Sequence, residues 1–164
     1  MTTFLSVVAA GVIALSTATA SGQSKSASIQ GVWQAVEVHI PGPTPRTIRV
    51  REPRPNLTII TAGHYSRVQV DSDAPRPIPA DIAKATADEL RAVWGSFVGE
   101  AGTYQISGSL ITMRPIVAKN PAAMKPGAFT TWSYTLEGDT LRVTAVANQN
   151  GPVEPVTIKA VRVE

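Results

Sequence analysis

The chain has 164 residues, a formal net charge of +3 and no cysteine. This length is typical of a single domain, and the lack of cysteine excludes disulfide bonds, thiolate chemistry and a lipid attached through a cysteine. Four arginines lie within residues 46–54, but one small basic cluster on a weakly charged chain is more typical of a solvated loop than of a nucleic-acid-binding surface. No nucleic-acid partner is therefore expected.

The first 20 residues carry no charged side chain, and an apolar run over residues 4–15 is followed by Ala18-Thr19-Ala20. This pattern predicts a secretory signal peptide that is cleaved after Ala20. A retained membrane anchor is the alternative, because no Lys or Arg precedes the apolar run. Cleavage predicts a periplasmic or secreted protein without stable membrane insertion, in which a flexible lead-in over residues 21–28 precedes one domain over residues 29–164.

Strand patterns begin at Gly31, and residues 32–40 alternate in the manner of a half-buried strand. One side of this strand is predicted to carry Trp33, Ala35, Glu37 and His39. The segment PGPTP then breaks the pattern, and residues 47–52 are predicted to form a short extension. Residues 56–61 and 64–70 are predicted to pair as a hairpin, because Ala62-Gly63 between them is a tight turn signal.

The hydrophobic period changes after a proline-rich loop at residues 71–79. Apolar side chains recur at steps of four and three residues, at Ala83, Ala87, Leu90, Trp94 and Phe97. Such spacing is typical of one face of a helix. Thr86 and Glu89 have the spacing of a capping box, which predicts a helix that begins near Ala87 and ends by Val98.

Five more segments with strand patterns follow the helix, namely GTYQI, LITMRPIV, FTTWSYTL, TLRVTAVA and VTIKAVRV. With the first three they make about eight strands, a spacing typical of an antiparallel sandwich or barrel. Closing a barrel removes the two edges of unpaired backbone that an open sheet leaves. Eight strands enclose an interior just wide enough for side chains or one small ligand.

The tripeptide Gly31-Val32-Trp33 on the first strand, followed by seven more antiparallel strands, resembles the lipocalin family. The segments PNLTIITAGHYSRV, FVGEAGTYQISGSLITMRPIVAKNP and PGAFTTWSYTLEGDTLRVT are similar to those of the bacterial lipocalin-like domain proteins. The resemblance implies an all-β fold, an eight-stranded antiparallel up-and-down barrel. The sequence pattern places one short α-helix between the third and fourth strands, which departs from the better-known lipocalins, whose helix lies near the C-terminus. The resemblance also implies that Trp33, beside Gly31, plugs one end of the barrel, while a small apolar ligand enters at the other.

Polar and aromatic side chains on the predicted strands supply the candidate ligand-binding residues. They are Tyr65, Arg67, Arg114, Trp132, Tyr134 and His64. An arginine that points inward beside tyrosine and tryptophan would suit an amphipathic carboxylate such as a fatty acid. The alternative is that both arginines lie on the solvated outer wall, where arginine is usually found. Lys119, at the start of a loop, is interpreted as a solvated lysine rather than a ligand contact.

The leading hypothesis is a non-catalytic protein that binds a small apolar or carboxylate-bearing molecule. One alternative is an isomerase, cyclase or hydrolase that uses the same cavity, with Arg, Tyr or His for acid–base work. Another is a barrel filled with side chains that binds no ligand. No metal or cofactor is predicted, because His39 and His64 are too few for a zinc site and no phosphate-binding loop or nucleophile elbow is present.

Overall fold

The computed structural model describes residues 28–50 and 55–164. The predicted signal peptide, most of the predicted lead-in, and Arg51 and Arg54 of the basic cluster lie outside the described residues. Within the described part of the chain, no helix has the length and hydrophobicity needed to cross a membrane.

Ten strands and one α-helix make up the described chain. The strands are β1 Gly31–Ile40, β2 Arg46–Arg49, β3 Asn56–Ile60, β4 His64–Val70, β5 Phe97–Ser107, β6 Leu110–Ala118, β7 Thr130–Glu137, β8 Thr140–Asn148, β9 Gly151–Pro152 and β10 Thr157–Arg162. The helix α1 spans Ala87–Trp94, and short 3₁₀ turns lie at Ile82–Lys84 and Pro121–Met124.

Eight of the strands close into an antiparallel barrel in the order β10, β1, β3, β4, β5, β6, β7, β8, with β8 pairing back to β10. The two short strands lie outside this ring, since β2 pairs with β1 and β9 with β8. The predicted closed eight-stranded barrel is therefore confirmed. Its core is a cluster of buried side chains that come from several strands, among them Trp33, Ile60, Tyr65, Ile111 and Leu141.

Helix α1 follows the fourth strand in chain order rather than the third, because residues 46–49 form a strand of their own on β1. The predicted capping box at its start is present: the Thr86 hydroxyl accepts from the Glu89 N–H at 3.3 Å, and the Thr86 N–H donates to the Glu89 carboxylate at 2.7 Å. The helix ends at Trp94, earlier than predicted, because Phe97 already pairs with Val70 in the sheet.

Lys119 holds the C-terminal end of α1 against the connection between β6 and β7. Its ammonium group donates to the carbonyl oxygens of Trp94, Gly95 and Phe97. A cation at this position satisfies carbonyls that have no partner within the helix and interacts favourably with the helix dipole. Lys119 is exposed, in agreement with the interpretation from sequence, but its ammonium group also caps the end of the helix.

The two ends of the barrel differ in the length of the connections between strands. At one end β5 turns into β6 and β7 into β8 through two residues each, and Gly108 and Gly138 there have φ of +58° and +55°, as tight hairpin turns require. We call this the closed end. The longer connections over residues 71–96 and 119–129 lie at the opposite end, which we call the mouth.

A β-bulge in β1 changes which of its side chains point inward. The pairing of β1 with β10 shifts register between Ala35 and Glu37, and a bulge of this kind reverses the alternation beyond it. Val38 then shares the inner side with Ala35. The prediction that Glu37 and His39 lie on the side of Trp33 is therefore wrong, and the His39 ring instead bonds the Thr47 hydroxyl at 3.1 Å on β2.

Candidate functional site

The closed end is sealed by Trp33, whose side chain is 1% exposed. Its indole N–H donates to the carbonyl of Ile29 at 2.8 Å. The Arg162 guanidinium covers the ring at 4.2 Å from its centre, a distance typical of a cation–π contact. The structure thus places the predicted plug residue at the base of the barrel, between apolar side chains and an arginine.

Gly31 makes room for that arginine. Its φ is +141°, and a Cβ at this position would lie 2.3 Å from the Arg162 Nη1 and 2.7 Å from the Glu164 carbonyl oxygen. Arg162 also donates to the carbonyls of Gln30 and Ser28 at 2.5 and 2.7 Å and to the Asp139 carboxylate at 3.1 Å. One side chain therefore joins the start of the domain, its last strand and the β7–β8 turn.

Above the plug, the lumen holds a cavity of about 80 Å³. Apolar side chains dominate its wall, including Ile60, Ile111, Met113, Trp132, Tyr134, Leu141 and Val143. This volume is well below the 300–1,000 Å³ of typical small-molecule sites. The lower part of the barrel is therefore nearly filled by its own side chains.

A second cavity, of about 450 Å³, opens at the mouth. We call it the mouth pocket; its apolar lining comes from Val38, Ile40, Ile48, Val50, Val70, Val156 and Ile158. It shares Ala35, Asn56, Gln69 and Ile158 with the lumen, so the two cavities lie next to each other. Together they form a cup that is wide at the rim and narrow at the base, and its upper part has the size of a ligand site.

Asn56 lies where the two cavities meet and bonds the backbone of β1 at its bulge. Its side-chain oxygen accepts from the Ala35 N–H at 2.6 Å, and its amide nitrogen donates to the Ala35 carbonyl at 3.1 Å. These bonds take the place of backbone hydrogen bonds between β1 and β3. The pairing of those two strands ends where Trp33 lies opposite Thr58. The upper half of β1 is thereby free to diverge toward β2 and widen the mouth.

Replacing Asn56 with alanine is expected to lower the free energy of unfolding by about 1–3 kcal/mol, because both Ala35 backbone groups lose their partner in a partly buried place. Chemical denaturation measures the loss, and amide hydrogen exchange at Ala35 is expected to accelerate. Asn120→Ala is the matched control, since the Asn120 side chain accepts only a local bond from the Ala122 N–H at an exposed turn. Equal losses of unfolding free energy in the two variants would contradict the role of Asn56 in bonding the Ala35 backbone.

A charged pair with an adjacent tyrosine forms the polar part of the site. Arg67 on β4 lies opposite Glu100 on β5, and their side chains form an ion pair at 3.2 Å. The Tyr65 hydroxyl donates to the same Glu100 oxygen at 3.5 Å. Burial, and next the charge of Glu100, raise the pKa of Tyr65 far above its ordinary value. The phenol therefore stays protonated and serves as a donor.

The structure brings four of the six predicted ligand-binding residues to the inner side of the barrel. Arg67, Trp132 and Tyr134 line the lumen, and Tyr65 is buried in the core beside it. Arg114 is on the outer wall, where its guanidinium covers the Phe129 ring at 5.8 Å. His64 is exposed at the start of β4, near the closed end. These two lie outside the cup.

Sequence reasoning missed Asn56 and Glu100. Asn56 was interpreted as the first residue of a strand, and Glu100 lies before the segment predicted as the strand after the helix. The signal that could find Glu100 is its position opposite Arg67 once β4 and β5 are paired. The two histidines lie at opposite ends of the barrel, and no group of three or more potential metal-ligating His, Asp or Glu residues is found in residues 28–50 and 55–164.

Comparisons with known proteins identify no family. No family model matches the chain, and no curated protein matches it. Among solved structures, an uncharacterized protein from Bacteroides eggerthii is similar over 81% of this chain and 98% of its own, with 11% sequence identity and a TM-score of 0.43.

Proposed function

We propose that the protein is an exported, lipocalin-like binder of a small apolar or amphipathic molecule. The bound molecule lies mainly in the mouth pocket, and its narrow end reaches the lumen. The observation that carries the proposal is the mouth pocket itself, a space of about 450 Å³ that adjoins the barrel interior and is lined by both apolar and polar side chains. Removal of apolar ligand surface from water into such a preformed cup is the source of affinity.

The resemblance to lipocalin-like proteins adds to this proposal, because it implies a ligand that enters opposite the tryptophan plug. Four aromatic or polar side chains that the resemblance and the strand pattern suggested as contacts, at positions 65, 67, 132 and 134, lie on the inner side of the barrel. Arg114 and His64 are not included in the proposed site, since both lie on the outside.

A barrel without any ligand is the second candidate, favoured by the small volume of the lumen. The enzymatic alternative has weaker support. Among the Arg, Tyr and His candidates for acid–base work, His39 and His64 lie outside the cup, and the raised pKa of Tyr65 keeps that phenol neutral.

The binding proposal is tested with N-phenyl-1-naphthylamine, a neutral dye that fluoresces in apolar surroundings. We expect saturable binding at one dye per chain. Val38→Trp, which fills the mouth pocket, is expected to weaken binding at least tenfold. Val68→Trp makes the same change on the outer face of β4, where Val68 is exposed, and is expected to leave binding unchanged. A thermal melt confirms that each variant is folded.

Equal binding by the two variants, or no saturable binding by the natural protein, would favour the ligand-free barrel. Native mass spectrometry of protein purified from its own host provides a second readout. For the natural protein and for Val68→Trp, we expect a mass above that of the chain alone, because a ligand stays bound. For Val38→Trp, we expect no such excess.

A further inference from the structure

We infer that the polar end of the bound molecule is uncharged, as in an alcohol, amide, ketone or ester, rather than a carboxylate. This inference rests on the proposed function and narrows its ligand class. It begins from the charges of the cup. Of the described residues that line the lumen, Arg67 alone carries a formal charge, and at first sight an inward arginine indicates an anionic ligand.

Glu100 cancels that attraction. Its carboxylate lies 3.2 Å from the Arg67 guanidinium, and the side chains of the pair are only 25% and 18% exposed. The Tyr65 hydroxyl donates to the same carboxylate. Glu100 does not itself line the lumen, so a carboxylate there would meet a guanidinium whose charge Glu100 already offsets. It would lose its hydration without gaining a net opposite charge, which is unfavourable for a buried ion.

A neutral acceptor suits the same pair. The guanidinium has five N–H donors in a fixed arrangement, and within the described residues its Nε–H is buried without a hydrogen-bond partner. A small movement of the Arg67 side chain would offer a donor to a carbonyl or hydroxyl oxygen while the bond to Glu100 persists. Trp132 and Tyr134 on β7 also line the lumen.

The mouth pocket repeats this balance of charge. Its described lining contains one cation, Arg46, and one anion, Asp71. The Asp71 carboxylate accepts from the Gln69 amide at 2.8 Å, which holds it at the edge where lumen and mouth pocket meet. Neither the lumen nor the mouth pocket presents an excess of positive charge to an entering molecule. Binding is therefore expected to come from the apolar body of the ligand and an uncharged head.

The test is a series of ten-carbon compounds, decanol, decanamide and decanoate, each measured at pH 7.5 by displacement of N-phenyl-1-naphthylamine. For the natural protein we expect decanol and decanamide to bind at least tenfold more tightly than decanoate. In Glu100→Gln the charge of Arg67 is uncompensated, so the affinity for decanoate is expected to rise at least tenfold while that for decanol changes less than threefold. Glu137→Gln is the matched control, since Glu137 is exposed near the closed end. It is expected to leave the relative affinities for the three compounds unchanged.

The outcomes separate the two proposals. If the dye does not bind, or no compound of the series displaces it, the proposed binding function fails. If decanoate binds the natural protein as tightly as decanol, or Glu100→Gln gains no affinity for decanoate, the binding function stands and the inference of an uncharged head is overturned.

Discussion

Replacement of Trp33 by alanine is expected to lower the free energy of unfolding by about 3–5 kcal/mol, the range for a fully buried tryptophan. The loss has three parts: the apolar area of the ring, its hydrogen bond to the Ile29 carbonyl, and the surface against which Arg162 packs. Such a loss is a large fraction of the stability of a single domain. Urea denaturation followed by circular dichroism measures it.

Trp94→Ala is the control for this experiment. It removes the same atoms from a side chain on α1 that is 48% exposed and contacts the Phe97 ring edge-on at 6.1 Å between centroids. Trp94→Ala is expected to lower the free energy of unfolding by about 1 kcal/mol, since the contact between the two rings is partly solvated. A Trp33→Ala variant no less stable than Trp94→Ala would show that the plug does not hold the barrel closed.

Gly102→Ala is expected to destabilise the barrel by about 3 kcal/mol, at the upper end of the cost of inserting a methyl group into a packed place. The added Cβ would lie 2.0 Å from the Arg114 carbonyl oxygen and 2.7 Å from the Pro115 Cα. Both atoms belong to the backbone of β6, so relief requires the two strands to separate. Chemical denaturation gives the magnitude, and faster amide exchange along β5 and β6 would locate the strain.

Two other glycines provide a graded comparison with Gly102. A Cβ at Gly63 would meet no atom within 4 Å, and a Cβ at Gly99 would meet only the Phe97 ring at 3.1 Å. Gly63→Ala is expected to leave the free energy of unfolding nearly unchanged. Gly99→Ala is expected to lower it by an intermediate amount, because the Phe97 side chain can move aside more easily than a strand backbone. A Gly102→Ala variant as stable as Gly63→Ala would contradict the close approach of β5 and β6.

Local signals in the sequence were enough to predict the elements of the barrel. Alternating hydrophobicity defined the strands, and the Thr86–Glu89 capping box defined the start of α1, because both depend on residues close in the chain. Features that depend on distant pairing were not predicted correctly. The bulge in β1 follows from its register with β10 at the other end of the chain. The short extension predicted after the first strand is present as the four-residue β2, but its pairing with β1 is not evident from the local sequence.

The candidate site was predictable to a similar degree. Alternation places Tyr65 and Arg67 on one face of β4, and Met113 opposite Arg114 on β6, but it does not indicate which face is inside. The contact between Arg67 and Glu100 joins residues from strands on either side of α1, and the bonds between Asn56 and Ala35 span 21 residues. Such contacts follow from strand order and register, which no local pattern contains.

The difference between the two ends of the barrel has a consequence for how the molecule can be altered. The tight turns at Gly108 and Gly138 and the tether made by Arg162 hold the base, and none of them touches the rim. Lengthening a surface segment costs little, about 0.6 kcal/mol for each doubling of its length. Segments grafted in place of residues 71–81 or 121–128 would therefore leave strand pairing intact, and the protein offers a disulfide-free scaffold whose recognition can be re-engineered separately from its stability.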